Sequence, residues 1–348
     1  MPTNKKKVLI IDGNNVAYAA YSVFKRTQGG LLTSSTGIPT TVFFGMLNVL
    51  STFTEKNAVD RVIICWDVKG GSAWRKSVFK HYKANRSGNY KDMDDYFAEL
   101  DSAKEYLSAI GIPQAPCEGV EADDVIGWLA KRYVRKGWQS VVFSNDKDYY
   151  QLLDEDTTLW RPCTQKMYTH SMVPEEKACM GLGPQHLHKL QGLTGQAKDN
   201  IPGACELDSD NVMIKWGFGE AYACKLLKHP DNPDHKLSVC KKLLLADKSP
   251  LSEPKTTQLL KNWKRVLLSA RLSKIRTRMK EYELWEVALL NSVYKQSLSK
   301  TVYTVSELNY VASMLDISKL SVPRICRSIG VNIRGKVQKN PTRKRIKL

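Results

Sequence analysis

Three short apolar runs in this chain each end in an aspartate, and that repetition constrains the fold more than any other feature. Val8-Leu9-Ile10-Ile11 leads into Asp12-Gly13-Asn14-Asn15, Val62-Ile63-Ile64-Cys65-Trp66 into Asp67, and Ser140-Val141-Val142-Phe143 into Ser144-Asn145-Asp146-Lys147-Asp148. Continuous rather than alternating apolar runs read as strands buried on both faces. Helical patterns lie between them, from Thr40 to Phe53, Tyr96 to Ile110 and Asp123 to Arg135. The fold class this predicts is α/β, a mainly parallel sheet flanked by helices. In such sheets ligands sit beyond the carboxyl ends of the strands, the edge to which Asp12, Asp67 and Asp146 are delivered. One aspartate there is ordinarily a helix cap or turn residue; several on one edge point to a site.

A second acidic cluster, Glu121-Ala122-Asp123-Asp124, opens the third helical pattern. The background is strongly basic, with 53 Lys and Arg against 35 Asp and Glu and a net charge of +18. A basic chain that concentrates its acids in this way is suited to holding divalent cations beside a polyanionic substrate. Two ions about 3.5 to 4 Å apart activate a water and stabilise the leaving oxygen of a phosphodiester. The implied chemistry is metal-assisted hydrolysis of nucleic acid.

With 348 residues and 42% hydrophobic content the chain can build real cores, and roughly two domains are expected. No apolar run approaches the roughly 20 residues that cross a bilayer. Lys5-Lys6-Lys7 leads straight into the first strand without a signal-peptide cleavage pattern. A soluble intracellular protein of cytoplasm or nucleoid, with no membrane partner, is expected. Eight cysteines, at 65, 117, 163, 179, 205, 224, 240 and 326, form no CxxC pair and have no His partner at zinc spacing. They read as reduced, buried, small hydrophobes.

From about Gly181 the strand signal fades into helices punctuated by Pro230 to Pro233 and Ser249-Pro250. The expected division is a catalytic core over 1–180, a helical domain over 181–330 and a basic tail over 331–348. Between Lys255 and Lys280 lie Lys261, Lys264, Arg265, Arg271, Lys274, Arg276 and Arg278 with no acid, interleaved with Trp263. A solvated helix face mixes both signs, so this stretch is expected to contact DNA. Arg334 to Leu348 hold seven basic side chains and no acid. Phosphate attraction, a nuclear address and mere solubility all remain open for that tail.

The elements Ile11-Asp12-Gly13-Asn14-Asn15, Trp66-Asp67, Tyr82-Lys83-Ala84-Asn85-Arg86, Glu121-Ala122-Asp123-Asp124, Asp146-Lys147-Asp148-Tyr149-Tyr150-Gln151-Leu152-Leu153 and Lys198-Asp199-Asn200-Ile201-Pro202-Gly203 occur in this order. Together they closely resemble the 5′-nuclease family of flap endonucleases, phage 5′-exonucleases and the 5′-nuclease domain of bacterial DNA polymerase I. The resemblance runs from about residue 8 to 230. It implies a PIN-like core, a helical arch at about 72–100 over the active site, and a helix-three-turn-helix element at about 199–228 that grips duplex DNA. It also implies that Asp12, Asp67, Glu121, Asp123 and Asp124 surround a first Mg²⁺, replaceable by Mn²⁺, and that Asp146, Asp148 and Asp199 surround a second.

Trp74, Arg75, Tyr82, Lys83 and Arg86 match the family's arch. The resemblance makes Lys83 the catalytic lysine and Arg75 the arginine at the scissile phosphate, where a cation neutralises charge on the phosphoryl oxygens. Asp12, Asp67, Asp123 and Asp146 are the acids expected to act with them. Generic phosphate attraction is the alternative for Lys83 and Arg86, and Tyr82 either stacks on an unpaired base or packs. Gly203, Gly217, Gly219 and Lys225 match the DNA-gripping hairpin and the helix after it.

Two departures stand out. The family pattern Gly-Asp-x-x-Asp-Asn-Ile-Pro-Gly reads here Gly195-Gln196-Ala197-Lys198-Asp199-Asn200-Ile201-Pro202-Gly203, which replaces a second-metal acid with a neutral amide and predicts a weaker second ion. After Gly203 a longer segment carries Glu206, Asp208 and Asp210 before Gly217-Phe218-Gly219 resumes the pattern. Acids there put the family's K⁺ site in doubt. The expected protein is a structure-selective 5′-3′ exonuclease and 5′-flap endonuclease of DNA replication or repair, with RNA primers as an additional substrate. It is expected to be a monomer, working alone or beside a separate DNA polymerase. The competing readings are a catalytically weakened DNA-junction-binding protein and a PIN-type ribonuclease that cuts single-stranded RNA.

Overall fold

In the computed structural model, β1 (Lys7–Asp12) is an inner strand of a six-stranded sheet that also contains β2 (Arg61–Trp66), β3 (Gln114–Pro116), β4 (Gln139–Phe143), β5 (Thr157–Arg161) and β6 (Lys166–Tyr168). The structure describes residues 5–27, 30–86, 93–209, 213–214, 218–246, 248–297, 302–315, 322–328 and 331–334. Strand order is β3-β2-β1-β4-β5-β6, parallel throughout except for the antiparallel β5–β6 pair. The chain lays β2 and β3 on one side of β1 and then crosses to place β4 and β5 on the other. The order reverses there, so the crevice beyond the carboxyl ends of β1 and β4 is the topological switch point, where open α/β sheets bind ligands.

Both faces of the sheet are covered, which is why its strands read as continuous apolar runs. Val8, Ile10, Ile63, Cys65 and Val142 point to one side, where they meet α5 (Ala122–Val134). Leu9, Ile11, Val62, Ile64, Val141 and Phe143 point to the other, into a layer formed by α1 (Gly13–Arg26), α2 (Thr41–Thr54) and α4 (Asp94–Ala109). The turn from β1 into α1 is tight because Gly13 faces the Trp66 ring, 2.4 Å from where a Cβ would stand.

The described part of the expected arch consists of the short helix α3 (Ala73–Val78), a 3₁₀ turn at Ala84–Arg86 and α4; residues 87–92 lie outside the described residues. Beyond residue 180 come α6 (Leu187–Thr194), the short antiparallel pair β7 (Glu206–Leu207) and β8 (Met213–Ile214), α7 (Glu220–Leu227), α8 (Leu237–Leu245), α9 (Glu253–Lys261), α10 (Trp263–Ser273) and α11 (Leu284–Ser297). Helix α10 packs closely on α6, where a Cβ on Gly192 would lie 2.5 Å from that of Ala270.

The boundary expected at residue 180 does not divide the core. Leu190, Val266, Ile275 and Leu290 share one apolar cluster with Ile126, Leu129 and Val142. The last elements, β9 (Val302–Thr304), α12 (Val305–Met314), α13 (Val322–Ser328) and β10 (Asn332–Arg334), return to the opposite face. There Leu308, Ile325 and Cys326 are buried with Leu107 and Ile110 of the α4 end. Gly217 and tail residues 335–348 lie outside the described residues. No helix among the described residues is long and apolar enough to cross a membrane.

Candidate active site

One buried hydroxyl at the switch point feels the charge of four carboxylates. The Tyr149 hydroxyl donates to Asp12 Oδ2 at 3.1 Å. Burial first, then the negative charges of Asp12, Asp123, Asp146 and Asp67, hold its pKa well above the ordinary tyrosine value. These acids arrive from the ends of β1, β2 and β4 and from the start of α5. Asp12 also caps α1 through the Asn15 amide at 3.2 Å and accepts from Ser144 Oγ at 2.9 Å. Burial, then the neighbouring Asp67, push its pKa up to about 6. Asp67 is exposed and accepts from the Ala122 amide at 2.9 Å, so the end of β2 caps the start of α5.

Two asparagines in the β1–α1 turn hold these loops in register. Asn14 Oδ1 accepts from the Asp67 amide at 2.8 Å, and Asn15 Oδ1 from the Asn145 amide at 2.9 Å. A single turn therefore fixes the ends of both neighbouring strands. Asp146 caps the 3₁₀ helix Lys147–Leu152 through the Asp148 amide at 2.9 Å, which sets Asp146 and Asp148 side by side.

Basic side chains cover the rest of the acids. Lys83 and Arg75 both pair with Glu121, and Arg86 pairs with Asp199. Lys198 Nζ lies 2.7 Å from Asp148 and 3.1 Å from Asp146. Asn85 Nδ2 donates to the Ala197 carbonyl at 2.7 Å, the Lys83 amide to the Asp199 carbonyl at 2.9 Å, and Asn200 Nδ2 to the His81 carbonyl at 2.8 Å. The 81–86 limb of the expected arch thus lies against the 197–200 loop. Among the described residues, no three His, Cys, Asp or Glu side chains are gathered closely enough to form a ready-made metal cage.

The chemistry of the donor set nevertheless fits a divalent ion beside Asp12. Asp67 and Asp146 raise the proton affinity of Asp12, whose side-chain bonds among the described residues are to neutral donors only, a repulsion that a hard cation relieves. The Asp146 and Asp148 pair is different, because an ammonium already stands between them.

Comparison with known proteins decides the family. The family model of the 5′-3′ exonuclease N-terminal, resolvase-like domain matches residues 7–178. Residues 7–178 belong to this 5′-3′ exonuclease family. Its relatives include the DNA polymerase I of Caldicellulosiruptor bescii, 34% identical over 229 residues, which is 64% of this chain and 24% of that protein. The chain spans about a quarter of the length of the polymerase relatives that it matches. A 5′-3′ exonuclease of Buchnera aphidicola subsp. Acyrthosiphon pisum is 27% identical over 308 residues, covering 88% of this chain and 97% of that one. In fold the chain is similar to T5 5′-exonuclease, solved with zinc ions, with a TM-score of 0.65 at 18% identity over 84% of this chain and 98% of that chain.

Within this fold the structure gives several expected site residues another place. Asp124 is fully buried and has both oxygens occupied, by Arg75 at 3.0 Å twice, by Arg276 Nε at 2.9 Å and by the Arg276 amide at 2.8 Å. Burial alone would raise its pKa, and the two guanidinium groups more than offset that. It is a structural counter-ion with no lone pair left for a metal. Arg75, expected at the scissile phosphate, is its buried partner and also donates to the Leu272 carbonyl at 3.0 Å. Tyr82, the candidate base stack, is buried against Ile201 and Leu272 and donates to Glu121 at 3.2 Å.

Gly203, which matches the family's DNA-gripping hairpin, donates its amide to Ser269 Oγ at 2.9 Å within the fold. Gly219 and Lys225 are exposed at the start and on the surface of α7. In the basic stretch, Arg276 is buried between Asp124 and Glu286, Arg265 donates to the Cys205 carbonyl at 2.6 Å, and Lys274 pairs with Glu281; Lys261, Lys264, Arg271, Arg278 and Lys280 face solvent. Sequence reasoning missed Tyr149, Ser144, Asn14, Asn15 and Lys198 as parts of the site. All five lie inside or beside the acidic motifs, so their adjacency to the acids was the available signal.

Proposed function

We propose that this chain is a structure-selective, metal-dependent 5′-nuclease that hydrolyses DNA phosphodiesters at a free 5′ end or flap, with RNA at a 5′ end as a further substrate. The observation that carries the reading is the delivery of Asp12, Asp67, Asp123 and Asp146 by three strand ends and one helix start to the switch-point edge of the sheet, within the residues that match the exonuclease family model. Asp12, Asp67, Asp123 and Asp146 would hold a divalent ion, Mg²⁺ or in its place Mn²⁺. Such an ion, when bound, acidifies a water and neutralises charge on phosphoryl oxygens.

The chain's own groups do the rest. Lys83, a quarter exposed beside Glu121, turns from that carboxylate to the scissile phosphate and stabilises the charge that gathers there. Arg86, whose side chain is 43% exposed, supplies a second cation from the same limb. Arg75 acts beneath them, fixing Glu121 and Asp124 rather than touching phosphate. The exposed Gly219 end of α7, with Lys225 and the solvent-facing Lys261, Lys264 and Arg271, attracts the duplex backbone.

The test is cleavage of an end-labelled 5′-flap DNA beside single-strand and blunt-duplex controls, in Mg²⁺, Mn²⁺ or EDTA. Metal-dependent cutting near the junction is expected, absent in Asp146→Ala and lowered on the order of 10²-fold in kcat by Lys83→Ala. Tight flap binding without cutting in either metal would instead establish a junction-binding protein. Cutting of single-stranded RNA without need for a duplex would establish the ribonuclease reading.

A further inference from the structure

Asp146 and Asp148 carry a cation supplied by the chain itself. Lys198 Nζ contacts Asp146 Oδ2 at 3.1 Å and Asp148 Oδ2 at 2.7 Å. The other Asp148 oxygen accepts from Gln191 Nε2 at 2.7 Å and Gln196 Nε2 at 3.1 Å. Gln196, where the family pattern has an acid, thus contributes a donor to this carboxylate rather than another negative charge. Both Asp148 oxygens are engaged, and a cation already stands where a second divalent ion would bridge the two carboxylates. Lys198 is held in place by its own loop, which closes through reciprocal hydrogen bonds between Gln196 and Ile201 of 2.8 and 3.0 Å and against which the 81–86 limb lies.

We propose that the Lys198 ammonium is a built-in stand-in for a second divalent ion: it bridges Asp146 and Asp148 and offsets one of their two negative charges, and a second ion enters only by displacing it. The two sequence changes are then one device, since an acid at position 196 would add negative charge beside Asp148 that a metal relieves, whereas an amide there donates to Asp148 and an ammonium two residues later occupies the place of the metal. This rests on the proposed nuclease reading, in which the first ion sits at Asp12, Asp67, Asp123 and Asp146. A compact ammonium on a flexible stem suits the role, because it can swing away where a fixed guanidinium fork could not.

The experiment counts bound Mn²⁺ by electron paramagnetic resonance of the free ion, in the full chain and in Lys198→Ala, Lys198→Gln and Lys198→Arg, with thermal melting in EDTA and in rising Mn²⁺. The native chain and Lys198→Arg should bind one ion readily. Removing the charge should lower the half-saturating Mn²⁺ for a second ion on the order of tenfold. Lys198→Ala and Lys198→Gln should melt lower than the native chain in EDTA and gain more from Mn²⁺, whereas a merely structural lysine would lower the melting point without enlarging the metal response. A second-ion midpoint that stays put in both neutral variants overturns the proposal. If the native chain cuts flaps in that case, the nuclease reading stands without the counter-ion; if it neither binds Mn²⁺ nor cuts, both fall.

Discussion

Two aspartates from the acidic motifs have opposite fates, and environment rather than residue type decides between them. Asp124 is enclosed by two arginines and held ionised, while Asp12 is buried among other acids with only neutral donors. The consequence for Asp12 is a pH dependence of definite sign. Its pKa of about 6, raised by burial and then by Asp67, exceeds the value near 4 of an unfolded aspartate. The folded chain therefore binds that proton more tightly, and stability falls as pH rises from about 4 to about 6. Above that window the ionised group costs the fold roughly 3 kcal/mol. Urea unfolding in EDTA across pH 4 to 7 should show this fall in the native chain and a flatter profile in Asp12→Asn, which gains on the native chain towards pH 7. Parallel profiles for the two proteins would mean that Asp12 is not the group responsible.

At the scale of elements, the strands and the acids at their ends were legible because each run is buried on both faces and each acid terminates it. What stayed hidden was pairing between distant segments. Nothing local distinguishes Arg276 from the exposed Arg271 five residues earlier, yet one completes a buried network with Asp124 and Glu286 and the other faces solvent. Gly203 is a similar case. It sits in a motif that matched a DNA-gripping hairpin, but what requires glycine is a left-handed backbone at φ +62° and a Cβ position only 2.3 Å from the Gly195 amide nitrogen. The loop from Gly195 to Gly203 is thus closed backbone against backbone, and it carries both Lys198 and Asp199. Gly203→Ala should force the two strands of the loop apart and destabilise the chain by roughly 1–3 kcal/mol, the range for strained backbone positions. Chemical denaturation checks the size, and a Gly203→Ala variant as stable as the native chain would remove the closure argument.

Across the whole molecule, the return of the last helices to the far side of the sheet had no sequence signal, because an amphipathic helix announces that it has a buried face but not what covers it. The structure supplies the cover. Leu308 of α12 and Ile325 and Cys326 of α13 are buried against the end of α4, and Tyr303 lies over Gly111, where a Cβ would stand 2.1 Å from its ring. The cysteines offer a direct probe of that contact. Of the eight, Cys163 alone is exposed, and burial pushes the Cys326 thiol up to about 12. Alkylation under native conditions, followed by mass spectrometry, should modify Cys163 first and leave Cys326 protected. Leu308→Ala deletes a fully buried side chain from this contact, a change that costs about 2–5 kcal/mol in a core. If the last helices are an integral layer of the fold that can open locally, that loss accelerates Cys326 labelling while Cys65, on β2 in the layer that meets α5, stays protected. Equal acceleration at Cys65 would mean that the layer opens only with the whole molecule, and rapid labelling of Cys326 in the native chain would mean that the last helices are not docked on α2 and α4.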